Sequence, residues 1–344
     1  MESWKGEMLL SKPFLDVNHG EDQRRCSNGG GYLGATQRKV VCVTSGNSYF
    51  GAHLIKELSS HGYLIRATIQ NPGDLEEMKR TMGDEEMSRM ESVVVAKIGN
   101  LEGLCEAFRG CHAVFHTSSF IDPHGVSGYT ERTAFLEAEG ARNVIEACGR
   151  TSYVKRCIFT SSLLASIWST SSSHTQLVDE SFWSDEDYCR DNKLWLALGK
   201  TRAEKIAWEK SKEMKVKLVT MCPALVMAPS FPNAQYETSL PYLKGGKLMF
   251  RRGMLAVEDV TKLAKAHVKV YEAMDHGNAN GRYICFERVL GTLEDVARLE
   301  TNLKVHGLLS GDNENETTHV ERLTNQRITK LLAKQASTRW TCES

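Results

Sequence analysis

The chain has 344 residues, and its 43 lysines and arginines are balanced by 43 aspartates and glutamates. This balance leaves no net basic charge for binding nucleic acid or an anionic membrane surface, so neither is an expected partner. No apolar run approaches the roughly 20 residues of a spanning helix, and the start, MESWKGEMLL, does not read as a secretory signal, so a cytoplasmic protein is expected.

Cysteine usage favours the same location. None of the ten cysteines falls in a Cys-x-x-Cys pair. Several stand inside apolar segments, namely Cys42, Cys157, Cys222 and Cys285. We therefore expect reduced core thiols rather than disulfides or a metal site.

Strands alternate with helices over most of the chain. Residues 1–38 are polar and glycine-rich and predict a flexible N-terminal extension, in which GGGYLG follows no apolar strand and is therefore not a phosphate loop. From Lys39 onward, continuous apolar runs predict buried parallel strands: KVVCV, LIRATI, SVVVA, HAVFH, RCIFT and KLVTMC. Segments with helical spacing lie between them. This alternation predicts an α/β fold, a doubly wound parallel sheet of the Rossmann type.

The regular alternation ends after Cys222. Residues 223–247 contain four of the seven prolines and predict loops and short helices over a cleft. VEDVTKLAKAHVKVYEAM then predicts an amphipathic helix, and GRYICFERVL predicts a further strand. We assign residues 39–225 to a dinucleotide-binding domain, 226–309 to a smaller substrate lobe with segments interleaved with the sheet, and 310–344 to a polar C-terminal tail.

The first strand-to-helix turn is where such a sheet holds a dinucleotide pyrophosphate. Here it reads VTSGNSYFGAHL, and the usual glycine spacing falls on Ser45, Ser48 and Gly51, with Gly46 displaced by one position. A nucleotide site and an ordinary strand–helix connection are equally consistent with this turn. The end of the second strand has neither the acid typical of NAD sites nor the arginine typical of NADP sites, since Arg66 lies within the strand.

Several stretches of the chain together resemble one family. They are VCVTSGNSYFG, GCHAVFHTSS, EGARNVIEAC, RCIFTSS, VDESFWSDEDYC, GKTRAEKIAWE, CPALVMAP and DVTKLAKAHVKVYE. From about Lys39 to Leu309, the chain resembles the plant cinnamoyl-CoA reductase and dihydroflavonol reductase group of extended short-chain dehydrogenases. This resemblance implies a nucleotide-binding sheet with a mostly C-terminal substrate lobe. It also implies that NADPH reduces a phenylpropanoid thioester, a dihydroflavonol or a related carbonyl compound.

The resemblance further implies a set of site residues. In that group a lysine binds the nicotinamide ribose, a tyrosine protonates the carbonyl oxygen as hydride arrives, and a serine hydrogen-bonds that oxygen. The matching lysine is Lys200, and the serine is Ser162, with Ser161 as the alternative. Leu196 stands at the tyrosine position, and none of the ten tyrosines has a lysine four residues later. No metal is expected. The expected cofactor contacts are Gly46, Ser48, Tyr49, Phe50, Gly51, Asn100, Leu101, Thr117, Ser118, Lys200 and Pro223.

Other positions also depart from the pattern of the group. Gln70 and Glu76 stand where the group has an arginine and a lysine for the NADP phosphate, and Asn100 replaces an aspartate near the adenine. Because a glutamate repels a nearby phosphate, weakened NADP(H) binding is expected. His116 and His267 match group positions but are expected to be packing residues. Three tryptophans are likewise expected in the core: Trp183, Trp195 and Trp208.

Two functions follow from these observations. The first is an NADP-dependent reductase that transfers hydride to a carbonyl or thioester of a phenylpropanoid-like small molecule. Its activity is expected to be weak, because loss of a positioned general acid lowers rates about 10²–10⁴-fold. The second is a catalytically silent relative that binds a ligand or a protein partner, which is favoured by Leu196, Gln70, Glu76 and Ser45. The resemblance favours the reductase for ancestry and general chemistry.

Overall fold

Strands and helices alternate along the part of the chain that the computed structural model describes, which is residues 8–11, 38–117, 129–169, 177–227, 240–304, 307–309 and 322–339. The strands are β1 (Met8–Ser11), β2 (Val40–Val43), β3 (Leu64–Ile69), β4 (Ser92–Val95), β5 (Ala113–His116), β6 (Arg156–Thr160), β7 (Lys217–Pro223), β8 (Leu225–Met227), β9 (Ala256–Asp259), β10 (Gly281–Cys285) and β11 (Arg288–Val289). The helices are α1 (Tyr49–Ser60), α2 (Asp74–Met82), α3 (Asp84–Arg89), α4 (Leu101–Phe108), α5 (Glu131–Arg150), α6 (Glu186–Asp191), α7 (Trp195–Glu213), α8 (Gly246–Arg251), α9 (Val260–Asp275), α10 (Leu293–Asn302) and α11 (Gln326–Arg339). Two short 3₁₀ turns lie at Leu163–Ala165 and Leu240–Leu243.

Eight strands form one sheet in the order β1-β4-β3-β2-β5-β6-β7-β10. From β4 to β10 every neighbouring pair is parallel, which confirms the predicted doubly wound α/β fold. The chain places β3 and β4 on one side of β2 and then returns past β2 to place β5, β6 and β7 on the other. This reversal of strand order opens a crevice at the carboxyl ends of β2 and β5, which is where ligands bind in such sheets.

The sheet is covered on both faces because its strands are apolar on both sides. Successive residues of a strand point to opposite faces. Val41 and Val43 therefore pack with α1 and α9, where Leu54 and Tyr271 are fully buried. Cys42, between them, packs with the buried sides of α4, α5 and α7. Full burial of a side chain such as Leu54 stabilises the fold by about 1.5–3 kcal/mol.

The cysteines of the described segments are free thiols, and those in the strands are buried, as expected: Cys42, Cys157, Cys222 and Cys285. Across the same segments, no set of three or more histidine, cysteine, aspartate or glutamate side chains is arranged to hold a metal ion. Nor does any helix there combine the length and apolar character needed to cross a bilayer.

A second, smaller sheet and its helices form the lobe beside the carboxyl ends of the main strands. Its strand order is β11-β9-β8, with β8 and β9 parallel and β9 and β11 antiparallel. The apolar core of this lobe joins residues from early and late in the chain, including Leu163, Trp168 and Leu198 with Phe250 and Leu255. The residues of this core therefore come from widely separated parts of the chain.

Both ends of the chain contribute to the folded body. Residues 1–38 are predicted to be a flexible extension, but Met8–Ser11 pairs antiparallel with β4 and forms an edge strand of the main sheet. Residues 310–344 are predicted to be a polar tail, but within the described residues Leu323, Ile328 and Leu331 are buried. Leu323 also forms an isolated parallel bridge with Val178. The predictions for the ends therefore need correcting at these residues, because their apolar side chains or backbone groups complete neighbouring elements.

Candidate active site

The turn that follows β2 is hydrogen-bonded to the neighbouring strand β3. The amide of Gly46 donates to the carbonyl oxygen of Thr68 at 2.9 Å, and the amide of Ser45 donates to the Thr68 hydroxyl at 3.3 Å. Ser45 has a positive φ of 49°. This left-handed conformation is the one that favours glycine, so the backbone keeps a glycine-like turn although the sequence has serine.

The two glycines that remain in this turn are required by close packing. A Cβ on Gly46 would lie 2.7 Å from the Cβ of Ala67, and a Cβ on Gly51 would lie 2.5 Å from the carbonyl oxygen of Ser45. Ser48 is the N-cap of α1, and its hydroxyl accepts the amide of Gly51 at 3.0 Å. The amino end of α1, with Tyr49 and Phe50 in its first turn, is thereby held at the crevice.

The end of β5 is bonded to the same turn. The amide of Thr117 donates to the Thr44 hydroxyl at 3.1 Å, and that hydroxyl is also 3.1 Å from Nδ1 of His116. Burial, with the charge of Lys200 adding to it, lowers the pKa of His116 to about 3. His116 is therefore neutral near pH 7 and supports the turn. Ser118 lies outside the described residues.

His267 is a second buried histidine, on α9. It is bonded to the Thr160 hydroxyl at 3.0 Å and to the carbonyl oxygen of Leu263 at 2.9 Å. Burial lowers the pKa of His267 to about 4. Its ring lies 4.8 Å from the Phe50 ring. Both histidines thus have the packing role that the sequence indicates.

The remaining candidates lie at the carboxyl ends of other strands. Asn100, after β4, is the N-cap of α4, and its Oδ1 accepts the amide of Gly103 at 3.1 Å, with Leu101 as the first residue of that helix. Pro223 is the last residue of β7 and is buried. Because these strands are parallel, the predicted cofactor residues that follow β2, β4 and β5 or end β7 lie at the carboxyl ends of the strands, together with Ser162 after β6.

The two serines after β6 have different surroundings. The Ser161 hydroxyl donates to the Glu204 carboxylate at 2.7 Å. That carboxylate is fully buried and also accepts from Thr220 at 2.6 Å and from Arg282 at 2.8 Å. Ser161 thus belongs to a polar network inside the fold. Ser162, whose hydroxyl accepts the amide of Leu164 at 3.2 Å, remains the candidate for contact with a ligand.

Lys200, on α7, is paired with a carboxylate of α5. Its ammonium donates to Oε1 of Glu137 at 2.5 Å, and the two residues are only 8% and 5% exposed. The helices come close at Gly199, where a Cβ would lie 3.0 Å from the Cα of Ala134. The sequence does not indicate Glu137, because its pairing with Lys200 depends on how α5 packs against α7. The Tyr129 hydroxyl donates to Oε2 of the same carboxylate at 3.3 Å.

A cavity of about 300 Å³ begins one helical turn before Lys200. Its volume is at the lower end of the roughly 300–1,000 Å³ typical of ligand pockets. The wall is largely apolar, and Leu196 is part of it. Trp195, in the first turn of α7, is partly buried: it packs against the apolar core of the smaller lobe, as expected, and also lines this cavity. The full lining is Tyr129, Leu164, Trp168, Leu194, Trp195, Leu196, Ala197, Pro241, Lys244 and Leu308.

The other two tryptophans, Trp183 and Trp208, are partly buried elsewhere in the fold. The Trp183 ring lies over the Arg282 guanidinium, with 3.7 Å between the guanidinium carbon and the ring centroid. Trp208 is partly buried against the core cluster that contains α4 and α5. Neither residue is part of the cavity wall described above.

Acidic groups surround the carboxyl end of β3. Asp74 Oδ2 accepts the backbone amides of Gln70 at 3.1 Å and Asn71 at 2.9 Å. The first turn of α2 contains three acids: Asp74, Glu76 and Glu77. Arg66 is turned away from this end, because its guanidinium is paired with Glu91 at 2.8 Å. Of these acids, Glu76 is paired with Lys79 at 2.7 Å.

Comparisons with known proteins show which proteins this chain resembles. A profile of the 3-beta hydroxysteroid dehydrogenase/isomerase family matches residues 42–222. The chain is 35% identical to cinnamoyl-CoA reductase 1 of Petunia hybrida over 73% of this chain and 74% of that protein. It is 34% identical to cinnamoyl-CoA reductase 2 of Arabidopsis thaliana over 85% of this chain and 87% of that protein.

Two solved structures have the same fold at lower identity. Vestitone reductase from alfalfa superposes with a TM-score of 0.62 and 23% identity, over 86% of this chain and 92% of that one. Yeast methylglyoxal/isovaleraldehyde reductase Gre2, complexed with NADPH, superposes with a TM-score of 0.66 and 20% identity, over 86% of this chain and 93% of that one.

Proposed function

Because the chain belongs to the 3-beta hydroxysteroid dehydrogenase/isomerase family, and within it to the cinnamoyl-CoA reductase-like extended short-chain dehydrogenases, we propose that it is a pyridine-nucleotide-dependent reductase of an aromatic carbonyl compound. The substrate class is a phenylpropanoid-like aldehyde or thioester. The observation that carries this proposal is the position of the apolar cavity, whose wall contains Leu196, one turn before the buried Lys200.

The residues at the carboxyl ends of the sheet strands fit a dinucleotide. The glycine-like backbone at Ser45 and the tight contacts of Gly46 and Gly51 bring the amino end of α1 to the crevice, where backbone amides attract a pyrophosphate. Thr117 and Lys200 would contact the nicotinamide half. When bound, a reduced nicotinamide supplies hydride to the substrate carbonyl carbon.

The aromatic part of the substrate is inferred from the cavity wall. Trp168 and Trp195 present aromatic surface, and Leu164 and Leu196 present aliphatic surface. Lys244 adds a cation to the lining, where it would attract an anionic substituent of the substrate. A planar aromatic ring with a polar or anionic end fits this combination better than a sugar, which would need many more polar partners.

A second candidate function is a silent ligand-binding module. It is favoured by the pairing of Lys200 with Glu137, because a carboxylate at 2.5 Å competes with ribose hydroxyls for the ammonium. It is also favoured by Leu196, which has no proton to donate. This candidate retains the cavity but forms no productive complex with a nucleotide.

Nucleotide titration and turnover distinguish the two candidates. Quenching of tryptophan fluorescence by NADPH and NADH measures binding, and oxidation of the reduced nicotinamide with cinnamaldehyde or cinnamoyl-CoA measures turnover. If the protein is a reductase, nucleotide binding should be saturable and weakened by Lys200→Met. Lys210→Met is the control and should leave binding unaffected, since Lys210 pairs with Glu213 at the surface of the same helix. No binding of either nucleotide at millimolar concentration would exclude the reductase. Binding without turnover would favour the silent module.

A further inference from the structure

A tyrosine lies in the wall of the apolar cavity, although the tyrosine expected at position 196 is missing. Leu196 and Tyr129 both line this cavity. Among the lining residues in the described segments, Tyr129 is the side chain that bears a hydroxyl. Tyr188, which is nearer to Leu196 along the chain, instead stacks on Trp168 with ring centroids 6.4 Å apart.

The Tyr129 hydroxyl is connected to Lys200 through one carboxylate. It donates to Oε2 of Glu137 at 3.3 Å, while the Lys200 ammonium donates to Oε1 at 2.5 Å. Glu137 and Lys200 are both buried, so this path is shielded from solvent at its centre. The positive charge of Lys200 offsets the carboxylate beside the phenol.

We infer that Tyr129 is the proton donor of this enzyme and that Glu137 connects it to Lys200. This inference rests on the proposed reductase function. It assigns to Tyr129 the task for which Leu196 has no suitable atom, with the hydroxyl approaching the carbonyl oxygen from another part of the cavity wall.

The chemical step balances as follows. Hydride from the reduced nicotinamide bonds to the carbonyl carbon, and the π electron pair of the carbonyl moves to its oxygen. The O–H bond of Tyr129 breaks, and its proton bonds to that oxygen. The Lys200 ammonium then passes a proton to the Glu137 carboxylate, and the Glu137 side chain turns and passes a proton to the phenolate. The Lys200 amine regains its proton from solvent.

The contact between Tyr129 and Glu137 is weak enough to be exchanged for a substrate. Hydrogen bonds from hydroxyl to oxygen are usually about 2.7–2.8 Å long. The 3.3 Å separation is longer, so the phenol loses little when it turns from the carboxylate to a carbonyl oxygen. Tyr129 directly precedes Thr130, the N-cap of α5, whose capping box fixes the backbone at this point.

The test compares Tyr129→Phe with wild-type protein at saturating nucleotide and varied cinnamaldehyde. We expect kcat to fall about 10²-fold or more, with KM and the nucleotide Kd within twofold, because a general acid acts in the transition state. Tyr129→Phe combined with Leu196→Tyr should recover turnover. Tyr153→Phe is the matched control, since Tyr153 is 61% exposed. A kcat for Tyr129→Phe within twofold of wild type would overturn the assignment while leaving the reductase function intact.

The connection through Glu137 has its own test. Glu137→Gln keeps the shape of the side chain but cannot pass a proton, so kcat should fall at least tenfold and the solvent deuterium isotope effect on kcat should change. A second readout needs no nucleotide: with ζ-¹³C-tyrosine, the Tyr129 resonance, assigned by its loss in Tyr129→Phe, should move in Glu137→Gln. An unmoved resonance, or an unchanged isotope effect, would overturn the connection. Failure of wild-type protein to bind either nucleotide would instead overturn the reductase function and this inference together.

Discussion

The ammonium of Lys200 and the carboxylate of Glu137 form a buried ion pair, 2.5 Å long, between two helices that touch at Gly199. Lys200 is the residue expected to bind the nicotinamide ribose, so a nucleotide and Glu137 compete for the same donor. Several properties of the protein follow from this competition and from the surroundings of the crevice.

Weakening the ion pair should strengthen nucleotide binding. In Glu137→Gln the ammonium is held by a neutral amide, and we expect the Kd for NADH or NADPH to fall by about tenfold, which corresponds to about 1.4 kcal/mol. The same variant should be less stable, because breaking a buried pair leaves a charge without its partner. Fluorescence titration measures the Kd, and Glu139→Gln, which alters an exposed pair with Arg142, is the control. An unchanged Kd would mean that Lys200 does not contact the nucleotide.

Supplying a phenol at the position of Leu196 should raise turnover. Leu196→Tyr places a hydroxyl in the cavity wall one turn before Lys200, and we expect kcat for cinnamaldehyde to rise about tenfold, since a positioned acid contributes about 10²–10⁴-fold and Tyr129 already supplies part of it. Leu196→Phe adds the ring without the hydroxyl and separates chemistry from packing. Equal rates for the two variants would contradict the prediction.

The acids at the end of β3 should set the preference between nucleotides. Asp74, Glu76 and Glu77 repel the extra phosphate of NADPH, so NADH should bind at least as tightly as NADPH. Glu76→Lys, with Gln70→Arg, should shift the ratio of the two Kd values by about tenfold or more toward NADPH, and less so at high salt. Glu85→Lys on the exposed helix α3 tests whether net charge alone has this effect. A clear preference of the wild-type protein for NADPH would refute the prediction.

A methyl group on Gly51 should disrupt the turn that follows β2. The added Cβ would lie 2.5 Å from the Ser45 carbonyl oxygen, so the backbone of the turn would have to shift. Gly51→Ala should lower the free energy of unfolding by about 1–3 kcal/mol and weaken nucleotide binding. Gly73→Ala is the matched control, because a Cβ there meets nothing within 4 Å. Urea unfolding measures the stability of the two variants, and equal midpoints for them would show that the turn adapts to the added methyl group.

Buried neutral histidine should make the fold sensitive to acid. The pKa of His116 is about 3 in the folded protein, below its ordinary value of 6.5, because the ring is buried and near Lys200. The unfolded chain therefore binds more protons between these values, so stability present above pH 6.5 is lost as the pH falls toward 3. Between pH 6.5 and pH 4, the free energy of unfolding of His116→Asn should fall by a few kcal/mol less than that of the wild-type protein, as measured by urea midpoints. Parallel pH curves for the two proteins would contradict this.

The sequence predicts the fold because the information needed is local. Each apolar run, such as KVVCV, shows burial on both sheet faces within a few residues. Glu137 and Tyr129 could not be predicted in this way. Glu137 meets Lys200 across 63 positions of the chain, and only the packing of α5 on α7 decides which side chain lies opposite the ammonium.

The choice between adjacent serines shows the same limit at a smaller scale. Ser161 and Ser162 are neighbours in the sequence, and both are nearly buried. Consecutive residues at a strand end point in opposite directions, so one hydroxyl reaches Glu204 in the interior and the other caps the turn at Leu164. Which residue points in which direction depends on the register of β6 in the sheet.

The short strand at Met8–Ser11 has a consequence for how the molecule meets other copies of itself. By pairing with β4 it occupies amide and carbonyl groups that would otherwise be open along that side of the sheet. A chain shortened to begin at Lys39 would offer this row to a second molecule. We expect such a truncated form to self-associate as its concentration rises, so Met8–Ser11 protects the protein from pairing with its own copies along β4.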